Sequence, residues 1–164
     1  MPESSATIIE HLQEVCQGYL VNMGVEGEVR ARIDFDTENE QELIVLNIES
    51  EEASLLIGQG GNHLLAFQHL LRATVQKKTN TFFKFTLDIN DYRKERKDFL
   101  ESLAHSLAEK ALREGEEIEM RPMSSFERRV VHKAVAERSE VETESRGVEP
   151  ERRVVIKPKR SIPV

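Results

Sequence analysis

The sequence predicts an α+β protein built from two small domains, and three observations lead there. Apolar residues recur at helical spacing in some stretches and alternate at strand spacing in others, so helices and strands interleave along the chain. Charge is split unevenly: residues 1–91 carry 6 Lys/Arg against 15 Asp/Glu, while residues 92–164 carry 17 against 15. A glycine turn, Gly58-Gln59-Gly60-Gly61, joins two apolar segments that both read as helix. At 164 residues, 38% of them hydrophobic and 32% charged, the chain has room for one ordinary domain or two small ones.

The first unit reads α-β-β-α-α-β. Residues 7–22 form an amphipathic helix pattern with Ile8, Leu12, Val15, Cys16 and Tyr19 on one face. Thr7 and Glu10 have capping-box spacing, and Gly24 supplies a stop. Residues 28–35 alternate, with Val29, Ala31, Ile33 and Phe35 inward. Thr37-Glu38-Asn39-Glu40-Gln41 turns the chain into a second strand carrying Ile44, Leu46 and Ile48. A short helix then ends at Gly58. Leu64, Phe67, Leu71 and Val75 mark the apolar face of a longer helix, which Thr79-Asn80-Thr81 breaks. Residues 82–89 alternate again, with Phe83, Phe85, Leu87 and Ile89 inward.

The second unit reads α-β-α-β-β, with a three-stranded sheet. From Tyr92 a basic start enters a long helix facing inward through Phe99, Leu100, Leu103, Leu107 and Ala111, with Gly115 as its stop. Glu117-Ile118-Glu119-Met120 is a short strand closed by Pro122. Ser124 and Glu127 form a capping-box signature for a helix to about Arg138. Two weak strands, Val141–Ser145 and Arg153–Ile156, flank a turn containing Gly147 and Pro150. Residues 158–164 read as a disordered tail.

Composition excludes several function classes. No window is long and apolar enough to span a bilayer, and the N-terminus lacks the pattern of a secretory signal, so a cytoplasmic protein without membrane insertion is expected. The single cysteine, Cys16, sits in a helical apolar pattern and reads as a small buried hydrophobe. His11, His63, His69, His105 and His132 are scattered without metal-ligand spacing. No nucleophile elbow or catalytic constellation is present, so neither an enzyme nor a cofactor is expected.

Two motifs carry chemistry. At the glycine turn, Gly58 and Gly61 are explained by a helix stop and a permissive start. The third glycine and the helix N-terminus beyond it fit a second explanation, a backbone cradle for phosphate. The spacing is neither a P-loop, which needs a following Lys-Ser/Thr pair, nor a dinucleotide fingerprint after a strand. The second motif is Phe126-Glu127-Arg128-Arg129-Val130-Val131-His132-Lys133-Ala134-Val135. At 100° per residue, Phe126, Val130, Val131, Ala134 and Val135 cover one half of a helix. Arg128, Arg129, His132 and Lys133 fall in the other. A solvated face is the ordinary meaning of such charges; an arc without an acid also suits phosphate.

The loop Ile57-Gly58-Gln59-Gly60-Gly61 resembles the G-x-x-G loop of KH domains, and the order of elements around it resembles the type II KH arrangement. Such a loop clamps the backbone of about four nucleotides of single strand. Many KH loops carry Lys or Arg between the glycines; here Gln59 and Gly60 stand there. Arg128-x-x-x-His132, preceded by Met120-Arg121-Pro122-Met123, resembles the signature of the R-three-H single-stranded nucleic-acid-binding domain. The ordered pair, a KH domain at 7–90 and an R-three-H domain at 91–157, is similar to the bacterial Jag family, also called the KhpB or EloR family. The resemblance implies a short form without the N-terminal Jag domain. It implies binding of single-stranded RNA, or of single-stranded DNA, through Ile57, Gly58, Gln59, Gly60, Gly61, Arg121, Arg128, Arg129, His132 and Lys133. It further implies association with a small separate KH protein, and a post-transcriptional role linked to cell elongation and envelope synthesis. The alternative is an interaction scaffold: the acidic first half and the uncharged loop suit a KH unit that binds protein, leaving nucleic acid to the second domain.

Overall fold

Backbone contacts divide the chain into two units, Met1–Arg93 and Lys94–Val164. The computed structural model describes residues 4–36 and 40–159. The architecture is α+β with two three-stranded sheets.

In the first unit, helix α1 runs Ser5–Met23, two residues earlier than the periodicity suggests. Ser4 is the cap rather than Thr7: its Oγ accepts the Thr7 backbone N–H at 3.3 Å, which makes Thr7 the third helical residue. The helix closes at Gly24, whose φ of +70° returns its N–H to the Leu20 and Val21 carbonyls. Ile8, Leu12, Cys16 and Leu20 form the buried stripe, with Val15 and Tyr19 at its margin. Strands β1 (Glu28–Asp36) and β2 (Gln41–Glu49) pair antiparallel, and β2 pairs parallel with β3 (Phe85–Ile89), giving the order β1-β2-β3. A parallel pair needs a crossover, and α2 (Ala53–Ile57) and α3 (Asn62–Thr79) supply it. Leu64, Phe67, Leu71 and Val75 bury the face of α3 that the periodicity assigns.

Two strand expectations need correction. Ile33 and Phe35 alternate as expected but do not enter the core, and Phe35 is 58% exposed. The pairing with β3 ends at Ile44, so the outer end of the hairpin runs past the three-stranded part of the sheet. Phe83 is buried, yet regular pairing begins only at Phe85, and Phe82 faces outward. Residues 37–39 of the expected turn lie outside the described residues.

Helix α4 runs Tyr92–Glu114, its first two residues belonging to the first unit; in the second it buries Leu100, Ala104, Ala108 and Ala111, while Leu103 and Leu107 are only partly covered. Phe99 is not inward: it is 55% exposed, with the Arg96 guanidinium 5.5 Å above its ring. Strands β4 (Ile118–Glu119), β5 (Val141–Arg146) and β6 (Arg153–Pro158) form an antiparallel sheet in the order β4-β6-β5. Helix α5 spans Ser125–Val135, and the chain tightens into turns at Ala136 and Arg138 rather than continuing as helix. The first two residues of the tail expected from residue 158 are held by the second sheet and the turn before it. Pro158 pairs with Val141, and the Lys159 N–H donates to the Glu140 carbonyl at 2.8 Å; residues 160–164 lie outside the described residues.

Candidate nucleic-acid interface

In the first unit the glycine turn is fixed by its neighbours. Gly58 has φ +68°, and a Cβ there would lie 2.4 Å from the His63 ring. That ring bonds the Leu55 carbonyl through Nδ1 at 2.8 Å. Gly61 has φ +81°, with the Tyr92 ring 3.2 Å from where its Cβ would be. Gly60 also has positive φ, +62°, but a side chain there would meet open space. Gln59 and Gly60 therefore form the exposed tip, and Gly61 is buried beneath it. Ile57 is half-buried against the core. Leu64 lies within the core. The tip stands at the N-terminus of α3, where the helix dipole and early N–H groups favour an anion.

In the second unit the capping box sets the register of α5. Ser124 Oγ accepts the Glu127 N–H at 3.3 Å, and Glu127 Oε2 accepts the Ser124 N–H at 2.9 Å. Glu127 Oε1 takes a 2.7 Å bond from Arg96 Nε, so this buried carboxylate has both oxygens partnered. Val130, Val131 and Val135 point into the core, as the periodicity requires. The polar arc is not uniform. Arg128 is only 8% exposed, whereas Arg129 and Lys133 lie nearer solvent, and Phe126, which the periodicity assigns to the apolar half, is exposed. The buried arc of α5 extends across Glu127 and Arg128 because both find partners inside the unit.

Arg128 Nη1 donates to the Met123 carbonyl at 2.9 Å and to Glu149 Oε1 at 2.7 Å. His132, one helical turn on, reaches Thr143 Oγ1 at 2.6 Å through Nδ1 and Ser145 Oγ at 3.0 Å through Nε2. Thr143 and Ser145 face α5 because their register partners are Ile156 and Val154, both core residues. Burial lowers the His132 pKa below the ordinary imidazole value, and the neighbouring Arg128 charge pushes it the same way. Arg121 is exposed on the segment leading into α5. On the opposite face of the sheet the cations are matched by acids. Arg146 grips Glu117 at 2.9 and 3.1 Å and Glu144 at 2.7 Å, and Lys157 Nζ is 2.8 Å from Glu144. These contacts raise the Arg146 pKa and lower those of Glu117 and Glu144, the directions expected of closed ion pairs.

Thr143, Ser145, Glu149 and Arg96 are site neighbours that sequence reasoning missed. The two hydroxyls were within reach, since alternation puts them on the same strand face as Val141. Glu149 sits in a turn, where no periodicity points to a partner.

A helix carrying Arg and His one turn apart, packed on a small antiparallel sheet, defines the class of the second unit: residues 98–158 match the R-three-H domain family. The relatives extend the match over both units. The RNA-binding protein KhpB of Clostridium symbiosum is 35% identical over 152 residues, 93% of this chain and 65% of the relative. That of Bacillus subtilis is 27% identical over 155 residues, 93% of this chain and 74% of the relative. That of Lactiplantibacillus plantarum is 33% identical over 138 residues, 84% of this chain and 42% of the relative. Over both units the chain is similar to the Jag/KhpB family. It spans less than two thirds of the length of the Clostridium and Lactiplantibacillus relatives. Among the described residues no helix is long and apolar enough to cross a membrane.

Proposed function

We propose that this protein binds single-stranded RNA and acts through binding rather than catalysis. The observation that carries the reading is the Arg128–His132 pair, oriented by Met123, Thr143 and Ser145 inside the segment that matches the R-three-H family. A guanidinium has five N–H donors in a fixed fork, so a phosphate oxygen can take over donors that Glu149 now engages. A phosphate near His132 favours the imidazolium, which adds a second cation where the free protein has a neutral ring. Arg121, Arg129 and Lys133 extend the positive surface toward neighbouring phosphates. The names of the relatives, RNA-binding protein KhpB, favour RNA over single-stranded DNA as the ligand.

We assign residues 7–90 as a type II KH domain and 91–157 as an R-three-H domain. The KH assignment rests on the α-β-β-α-α-β order and on the three positive-φ glycines, which suit a backbone clamp formed by Ile57, Gly58, Gln59, Gly60 and Gly61. A post-transcriptional role tied to cell elongation and envelope synthesis extends this reading on family resemblance alone.

Changing Arg128 and His132 together to Ala tests it. At low salt, affinity for a labelled single-stranded RNA should fall by more than about tenfold, the scale of one or two charge-assisted contacts. Undiminished affinity in a folded double variant excludes this face.

A second reading is favoured by a specific observation. The outer end of β1 exposes Ile33 and Phe35 on a unit whose acids outnumber its bases, a surface better suited to protein than to RNA. The partner would then be a small KH protein. The pair of changes Gln59→Asp and Gly60→Asp separates the readings. Loss of RNA affinity supports the clamp. RNA affinity kept in that variant, with the small KH partner lost from an Ile33→Ser, Phe35→Ser variant, supports the scaffold.

A further inference from the structure

Arg128 is the residue on which the motif turns, yet it is not an open cation. Its side chain is 10% exposed, and the carboxylate 2.7 Å from its Nη1 belongs to Glu149, which is 58% exposed. The more exposed partner covers the guanidinium from the solvent side. The inner side is held by the Met123 carbonyl. Glu149 lies in the turn between β5 and β6, where Gly147 has φ +92° and the Glu151 N–H returns to the Val148 carbonyl at 2.9 Å. A carboxylate and a phosphate make the same kind of charge-assisted contact with a guanidinium. The position that a phosphate would take on Arg128 is therefore occupied by a side chain of the same unit.

We infer that Glu149 is an intramolecular competitor for the phosphate site on Arg128, and that it sets how tightly a strand must bind before this site engages. The inference rests on the reading of the Arg128–His132 face as phosphate-binding. Displacing Glu149 reduces the affinity of every ligand that uses Arg128 by the same factor. A ligand with a single phosphate has little affinity left after that reduction; a strand with further contacts keeps a useful remainder. Displacement also sends the freed carboxylate into solvent beside the strand. It gathers cations there and offsets part of the counterion release that drives nucleic-acid binding.

The test uses the full chain, a labelled oligouridylate and a salt titration, with Glu149→Gln as the variant. Gln keeps the size of the side chain and removes its charge. Affinity at low salt should rise about fivefold, the scale of one partly exposed ion pair. The slope of log K against log salt should steepen by about 0.7, the value of one additional single-strand phosphate contact. Glu151→Gln is the control for general charge, because Glu151 lies in the same turn but pairs with Arg153 at 3.5 Å. It should leave both readings nearly unchanged. Glu149→Ala covers the case in which Gln rebuilds the bond to Arg128, and it should repeat the gain. Wild-type binding that depends on Arg128 but is not strengthened by either Glu149 variant overturns the inference and leaves the functional reading standing. An equal gain from Glu151→Gln overturns it as well, since the effect is then the general field. If neither wild type nor variants bind at low salt, the functional reading fails and the competitor falls with it.

Discussion

His132 shows how burial changes what a residue contributes. Its pKa is lowered chiefly by burial and then by Arg128, so at neutral pH the ring is uncharged and shares hydrogen bonds with two hydroxyls. In the unfolded chain the ring titrates near the ordinary value of about 6.5. Below that value the unfolded state therefore binds more protons than the native one, and stability falls as pH falls until the folded ring also protonates. Thermal melts of the wild type across this window should show the loss, and His132→Asn should remove the part due to this group. Binding of RNA reverses the sign. A phosphate favours the imidazolium, so complex formation takes up a proton and affinity for single-stranded RNA should rise as pH drops from about 7.5 toward about 6. A pH-independent affinity would exclude His132 from phosphate contact. Cys16 gives a simpler case at the same scale. Burial pushes its thiol up to about 12, so in the native state it should resist an exposed-thiol reagent at mildly alkaline pH until denaturant is added.

At the scale of elements, what was legible in the sequence follows from which interactions are local. The capping box of α5 was readable from Ser124 and Glu127 because both bonds close within one turn. The cap of α1 lies one turn before the expected one, since Ser4 and Thr7 both carry hydroxyls and only the backbone decides which is the cap. Period assigns Phe35 and Phe99 to the core, but period gives a face and not the length over which that face is covered. The register of β2 with β3 and the contact of Arg128 with Glu149 join residues far apart in the chain, and no spacing rule reports them. The glycine turn was legible as an element, and the structure separates its positions energetically. Gly60→Ala meets open space and bears only the left-handed backbone cost, about 1 kcal/mol. Gly58→Ala adds a clash with the His63 ring to a backbone conformation reserved for glycine, and should cost about 3 kcal/mol. Denaturant titration should order the variants wild type, Gly60→Ala, Gly58→Ala; equal losses would mean that His63 yields freely.

For the whole molecule the question is whether one strand uses both units. Each candidate site is modest alone: the first unit has acids in excess and an uncharged loop tip, and in the second Arg128 is already paired. Linkage converts two weak contacts into a tighter one when a strand is long enough to fill both, by an effective concentration of order millimolar for short connections. The affinity of a long strand then exceeds that of a short one by a ratio that neither site produces by itself. Disabling either site should collapse this ratio toward unity, whichever site is chosen. The Gln59→Asp, Gly60→Asp pair disables the loop, and Arg128→Ala with His132→Ala disables the helix face. Fluorescence anisotropy on short and long oligouridylates at several salt concentrations measures the ratio directly. A ratio that survives the loop lesion but not the helix lesion places the strand on the second unit alone. The acidic unit with its exposed Ile33 and Phe35 would then be the face for a protein partner.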